Sequence, residues 1–112
     1  MTLPFPDITR NLFDLSSYCS VVTGAGQGIG KALATGFAHA GSDVVLVDRN
    51  GELLDETAAA IGRIGHRVAT VVADVTAADA PERVVAAATD LSGRIDVLVN
   101  NAGIMGYADI IG

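Results

Sequence analysis

The run Thr23-Gly24-Ala25-Gly26-Gln27-Gly28-Ile29-Gly30 decides how this chain is read. It directly follows the apolar pair Val21-Val22 and directly precedes a helical pattern. A strand that breaks into glycines and then into a helix is suited to hold phosphate. Glycine adopts backbone angles that other residues avoid, and it has no Cβ to keep a ligand off the main chain. The helix behind such a turn points unpaired N–H groups and a positive dipole end at an anion. A Walker A loop around Gly30-Lys31 would need Gly at 25 and Ser or Thr at 32, but the chain has Ala25 and Ala32. A tight strand–helix turn with no ligand is the plainer alternative. Four glycines between 24 and 30 are more than such a turn needs.

Outward from this run the pattern is regular. Cys19–Thr23 reads as a short apolar strand, and Ile29–Ala40 as a helix with Ile29, Leu33, Gly36, Phe37 and Ala40 at helical spacing, ended by Gly41. Asp43–Asp48 reads as a buried strand. Gly51–Ile64 reads as a helix with Leu53, Leu54, Ala58 and Ile61 inward, closed by Gly65. Arg67–Ala73 is expected as a third strand, and Ala78–Leu91 as a third helix with Pro81 in its first turn. Ile95–Val99 is expected as a fourth strand. Strands alternating with helices imply parallel strands joined by right-handed crossovers. The expected fold class is α/β, a Rossmann-type doubly wound parallel sheet. Only its first four strands are expected here, in the order 3-2-1-4, with helices on both faces. Residues 1–18, with two of the three prolines, read as an irregular arm with a short turn at Asn11–Leu15. Residues 19–112 read as a partial nucleotide-binding domain. The apolar Ile95–Val99 would form an exposed edge that invites self-association.

Three further groups fall at strand ends. Asp48 closes the second strand, 18 residues after Gly30, close to the spacing of an acid that binds an adenosine ribose. Its carboxylate would accept hydrogen bonds from ribose hydroxyls and repel a 2′-phosphate, which favours NAD over NADP. Arg49 counters this if it swings toward a phosphate. A turn or N-cap role is the alternative for Asp48. Asp74-Val75 follows the third strand, where Asp74 either starts the next helix or lies near an adenine amino group. Asn100-Asn101-Ala102-Gly103 follows the fourth strand. It is either a simple turn or part of the crevice where an open sheet reverses its strand order and binds ligands.

Composition narrows the classes. The chain has 112 residues, 50% hydrophobic and 18% charged, which is too apolar for a disordered segment. A net charge of −6 disfavours nucleic acid and anionic membrane surfaces as partners. The single cysteine, Cys19, excludes an intramolecular disulfide and suits a reducing compartment. It reads as a small core residue. Met1–Asp7 lacks the pattern of a signal peptide, and no apolar run approaches a membrane span, so a cytoplasmic location is expected. His39 and His66 fall near helix ends and read as surface residues, and no cluster has metal-ligand spacing.

Together these residues resemble the N-terminal half of a short-chain dehydrogenase/reductase over residues 12–106. The family's Thr-Gly-x-x-x-Gly-x-Gly is matched by Thr23, Gly24, Gly28 and Gly30, its acid by Asp48, its Asp-Val pair by Asp74 and Val75, and its Asn-Asn-Ala-Gly by residues 100–103. The resemblance implies an NAD(P)-dependent oxidoreductase that moves a hydride between nicotinamide and an alcohol or carbonyl. It implies a cofactor site lined by Thr23, Gly24, Gln27, Gly28, Ile29, Gly30, Asp48, Asp74, Val75, Asn100, Ala102 and Gly103. It also implies a small-molecule substrate and a homo-oligomeric full-length protein. The family's catalytic Ser and Tyr-x-x-x-Lys are not matched. The sole lysine is Lys31, and four residues beyond Tyr18 and Tyr107 stand Val22 and Ile111. No catalytic residue is therefore assigned. The chain is expected to be the cofactor-binding half of such an enzyme, inactive alone. The alternative is a non-catalytic dinucleotide-binding or sensing module. Ser17-Tyr18-Cys19 departs from the Gly-Lys that many relatives carry, and nothing in the sequence explains it.

Overall fold

The structure, a computed structural model, describes residues 14–101. Four strands alternate with three helices: β1 (Cys19–Thr23), α1 (Gly28–His39), β2 (Asp43–Asp48), α2 (Gly51–Ile64), β3 (Val68–Val72), α3 (Ala80–Leu91) and β4 (Val97–Val99). All pairings are parallel and the order is β3-β2-β1-β4, as the alternation predicts.

The β1–β2 ladder runs from Cys19–Asp43 to Thr23–Val47, and the β2–β3 ladder from Val44–Val68 to Asp48–Val72. The β1–β4 ladder ends at Val22–Val99. This register brings the C-terminal ends of all four strands to one edge of the sheet. The glycine turn, Asp48, Asp74 and Asn100 all follow those ends.

Both faces of the sheet are covered, which explains the continuous apolar strands. Val22, Val44 and Leu46 pack with Ala34 and Ala38 of α1 and Leu54 and Ile61 of α2. Cys19, Val21, Val45, Val47 and Val71 pack on the other face with Ala80 and Ala88 of α3. Ser20 and Ser42, both buried, satisfy each other through a 2.8 Å hydroxyl–hydroxyl bond. Cys19 is buried as expected.

Local signals account for the boundaries. Asn50 caps α2 by accepting from Leu53 N–H, and Gly65 ends it in the left-handed region at φ 94°. Pro81 sits in the first turn of α3, where its missing N–H costs nothing. β3, α3 and β4 are each shorter than the sequence suggests. Ile95 and Asp96 precede the β4 ladder, and the Asp96 carboxylate instead takes the Cys19 N–H at 2.8 Å. The expected turn at Asn11–Leu15 lies mostly outside the described residues. A turn stands at Ser16–Ser17, and Leu15 N–H donates to Ala40 C=O.

The inward face of α1 differs in part from the expected row: Phe37 packs against the core, but Gly30, Ala34 and Ala38 are the buried residues, whereas Ile29 is 71% and Leu33 39% exposed. The start of α1 lies too close to the glycine turn for a side chain at 30, since a Cβ on Gly30 would stand 2.0 Å from Gly24 C=O oxygen. On α2, Thr57 rather than Leu53 completes the buried row with Leu54 and Ile61. β4 is an edge strand with Leu98 63% exposed, in agreement with the expected apolar edge. No helix among the described residues is long and apolar enough to cross a membrane.

Candidate functional site

The glycine turn occupies backbone angles that explain its composition. Gly24 (φ 65°) and Gly28 (φ 60°) lie in the left-handed region, which residues with a Cβ rarely adopt. Among the described residues nothing stands within 4 Å of where a Cβ on Gly28 would project, so the main chain there is open to a ligand. Gly30, two residues later, is small for the opposite reason, as the clash with Gly24 shows. A Cβ at Gly30 would also come within 2.9 Å of Asn101 Nδ2.

The start of α1 differs from that of α2. Gln27 occupies the N-cap of α1 without a side-chain hydrogen bond, and no acid lies in the first turn. The α2 start is capped by Asn50 and carries Glu52. Among the described residues, neither a side-chain cap nor a first-turn acid answers the N-terminal N–H groups and dipole of α1.

Asp48 reaches from β2 to the glycine turn. Its Oδ2 accepts the Gly26 N–H at 2.9 Å, and its Oδ1 accepts the Asn50 N–H at 3.0 Å. The two bonds hold the carboxylate at the end of β2 beside the turn. Both the ribose role and the turn role foreseen for this residue are compatible with this geometry. A Cβ on Gly26 would lie 2.8 Å from Asp48 Oδ2 and 2.8 Å from Leu53 Cβ. This accounts for Gly26, the second glycine of the run, which Leu53 covers.

Thr23 ties the turn to the far end of the site. Its hydroxyl accepts the Asn101 N–H at 2.8 Å and stands 3.3 Å from both Val99 C=O oxygen and Asn100 Oδ1. Asn100 and Asn101 are thereby held against the start of α1. Ala102 and Gly103 lie outside the described residues. Asp74 Oδ1 accepts from Thr76 N–H at 2.8 Å and from the Thr76 hydroxyl at 2.6 Å. These bonds, the hydroxyl's first, hold the exposed Asp74 carboxyl below its ordinary pKa. Asp74 closes a turn ahead of α3 rather than capping it, since the N-cap is Asp79. Val75 packs partly against the α3-side core. Ile29 projects outward from the first turn of α1.

Sequence reasoning missed Thr57. Its buried hydroxyl lies 3.0 Å from Ala25 C=O oxygen and 3.2 Å from Leu53 C=O oxygen. A threonine inside an amphipathic helix gives no signal that it touches a loop 31 positions earlier. Among the described residues no group of His, Cys, Asp and Glu could hold a metal ion.

Known proteins match this arrangement. The family model described as short chain dehydrogenase matches residues 19–111. 1-Deoxy-11-beta-hydroxypentalenate dehydrogenase of Streptomyces arenae is 49% identical over 87 residues, covering 78% of this chain and 31% of that protein. Gluconate 5-dehydrogenase of Gluconobacter oxydans is 45% identical over 100 residues, covering 89% and 39%. Among solved structures, a short-chain type dehydrogenase/reductase from Mycobacterium marinum superposes with a TM-score of 0.78 at 37% identity, covering 84% of this chain and 38% of that one. Hydroxysteroid dehydrogenase from Escherichia coli gives 0.76 at 35% identity, covering 81% and 38%. The chain spans between about 31% and 39% of the length of the curated relatives it matches. With the parallel 3-2-1-4 sheet and the glycine turn in register, these matches make the chain a member of the short chain dehydrogenase family.

Proposed function

We propose that this chain is the cofactor-binding part of an oxidoreductase that moves a hydride between a nicotinamide dinucleotide and an alcohol or carbonyl. The observation that carries the proposal is the common edge formed by the glycine turn, Asp48, Asp74 and Asn100, with the α1 start left without a side-chain cap. The residues present fit such a cofactor, because the space over Gly28 is open and the neighbouring N–H groups answer an anion. When bound, the nicotinamide supplies the hydride chemistry.

The chain's own residues bind and orient. Thr23, Gly24, Gln27, Gly28, Ile29 and Gly30 form the pyrophosphate turn. Asp48 accepts from the adenosine ribose hydroxyls while keeping its Gly26 bond, and its negative charge opposes a 2′-phosphate. NAD is therefore preferred over NADP, with Arg49 the residue that would reverse the preference. Asp74 and Val75 face the adenine, and Asn100, Ala102 and Gly103 continue the site toward the nicotinamide. The sequence has no Tyr-x-x-x-Lys, so the 112-residue chain binds without turning over. We assign it a cytoplasmic location and, in the full-length protein, a homo-oligomeric state.

Isothermal titration of NADH and NADPH into the chain tests this reading. Saturable binding with NADH the tighter ligand supports it. Tighter NADPH binding overturns the preference at Asp48, and the absence of binding to the folded chain overturns the function.

A further inference from the structure

Resting on the dinucleotide reading above, we infer that Thr57 is a positioning residue for the pyrophosphate turn, acting from the buried face of α2. One peptide plane of the turn is held by two side chains. The carbonyl of Ala25 and the N–H of Gly26 belong to the same planar unit and point in opposite directions. The Thr57 hydroxyl donates to that carbonyl at 3.0 Å, and Asp48 Oδ2 accepts that N–H at 2.9 Å. The plane is gripped at both ends, by two side chains from two elements, between the left-handed turns at Gly24 and Gly28.

The Ala25 N–H donates to Val47 C=O oxygen at 3.1 Å, so the preceding plane is fixed to β2 as well. Thr57 is fully buried, and its one hydroxyl proton goes to Ala25 C=O, the nearest of three carbonyl oxygens, with that of Leu53 at 3.2 Å and that of Gly26 at 3.5 Å. Glycines give this turn its shape and also leave it free to change shape. The hydroxyl of Thr57 removes that freedom before the ligand arrives, and preorganisation of this kind is read as affinity.

The test compares Thr57→Val, which keeps the volume and loses the hydroxyl, with Thr57→Ser, which keeps the hydroxyl. Kd is measured for NADH, ADP and adenosine at a temperature where each variant is folded. Thr57→Val should weaken NADH and ADP by about threefold to tenfold, the worth of one hydrogen bond. Adenosine, which has no pyrophosphate, should stay within about twofold, and Thr57→Ser should restore the NADH and ADP affinities. A purely structural role would move all three ligands together or none, and either result overturns the inference. Failure of Thr57→Ser to restore affinity also overturns it. If the wild-type chain binds none of the three, the dinucleotide reading itself falls and this inference with it. If Thr57→Val does not fold, Thr57→Ala takes its place: the same selective loss of NADH and ADP affinity is expected, and an equal loss for adenosine overturns the inference.

Discussion

Substituting Gly30 by alanine separates the role of the glycine turn from general helix propensity. An alanine Cβ at 30 would stand 2.0 Å from Gly24 C=O oxygen, 2.7 Å from Gly24 C and 2.9 Å from Asn101 Nδ2. Two of these are main-chain atoms, which cannot rotate aside as a side-chain tip can. Relief requires α1 to move off β1 by about an ångström, and such overpacking costs about 1–3 kcal/mol. Helix propensity acts the other way by about 0.8–1.0 kcal/mol, so the upper part of the range should survive as net destabilisation. Gly36→Ala and Gly62→Ala serve as controls on α1 and α2, because nothing lies within 4 Å of either Cβ position. Each should be stabilising by about 0.4–1 kcal/mol. Because the helix gain is common to both variants, equilibrium unfolding by circular dichroism at low micromolar concentration should set Gly30→Ala apart from Gly36→Ala by about 1–3 kcal/mol. Gly30→Ala should also weaken NADH, since it displaces the first turn of α1. A Gly30→Ala chain as stable as Gly36→Ala would refute the close approach of α1 to the Gly24 main chain.

Other expectations are more local. Asp48→Ala should erode NAD-over-NADP discrimination by about tenfold or more, roughly 1.4 kcal/mol, read as the ratio of the two Kd values. An unchanged ratio would mean that Asp48 serves only the turn. Leu98→Lys places a charge on the exposed edge strand and should lower self-association of the 112-residue chain in sedimentation velocity, whereas an unchanged distribution would move the sticky surface elsewhere. Arg94 grips the Asp96 carboxylate with its Nε and Nη2, at 2.6 Å for the shortest contact, and Cys19 N–H adds a third donor. These bonds, Arg94 first, hold the Asp96 pKa below its ordinary 3.8. A depressed folded pKa contributes stability that is present above 3.8 and lost as pH falls through the folded value. Asp96→Asn should therefore flatten the acid limb of the stability curve below pH 4, and an unaltered limb would refute the assignment. Incubating the purified chain with NAD and a panel of alcohols should give no NADH absorbance; any turnover would show chemistry that its residues do not account for.

The parts of this fold written in short-range chemistry were legible. β1, β2 and α2 have the expected bounds because glycines, an Asn cap and unbroken Val/Leu runs mark them. The strand order followed from alternation and from the glycine turn at the centre of the sheet. The inward face of α1 was not legible, because periodicity ranks apolar residues by size. Here the fully buried positions are the small Gly30, Ala34 and Ala38, with Phe37 packing beside them. Thr57 escaped for a related reason. Its hydroxyl is buried because it meets Ala25 C=O oxygen, and that meeting depends on where α2 packs. Asp48 was legible by its spacing, but its bond to Gly26 depends on how the turn lies beside the end of β2.

The central claim is that residues 24–30 bind the pyrophosphate of a dinucleotide. Amide chemical-shift mapping of the ¹⁵N-labelled chain during an NADH titration tests it most directly. Saturable shifts are expected at Gly24–Gly30, with further shifts at Asp48, Asp74 and Asn100–Asn101. Shifts confined to other surfaces, or none at all from the folded chain, would contradict it.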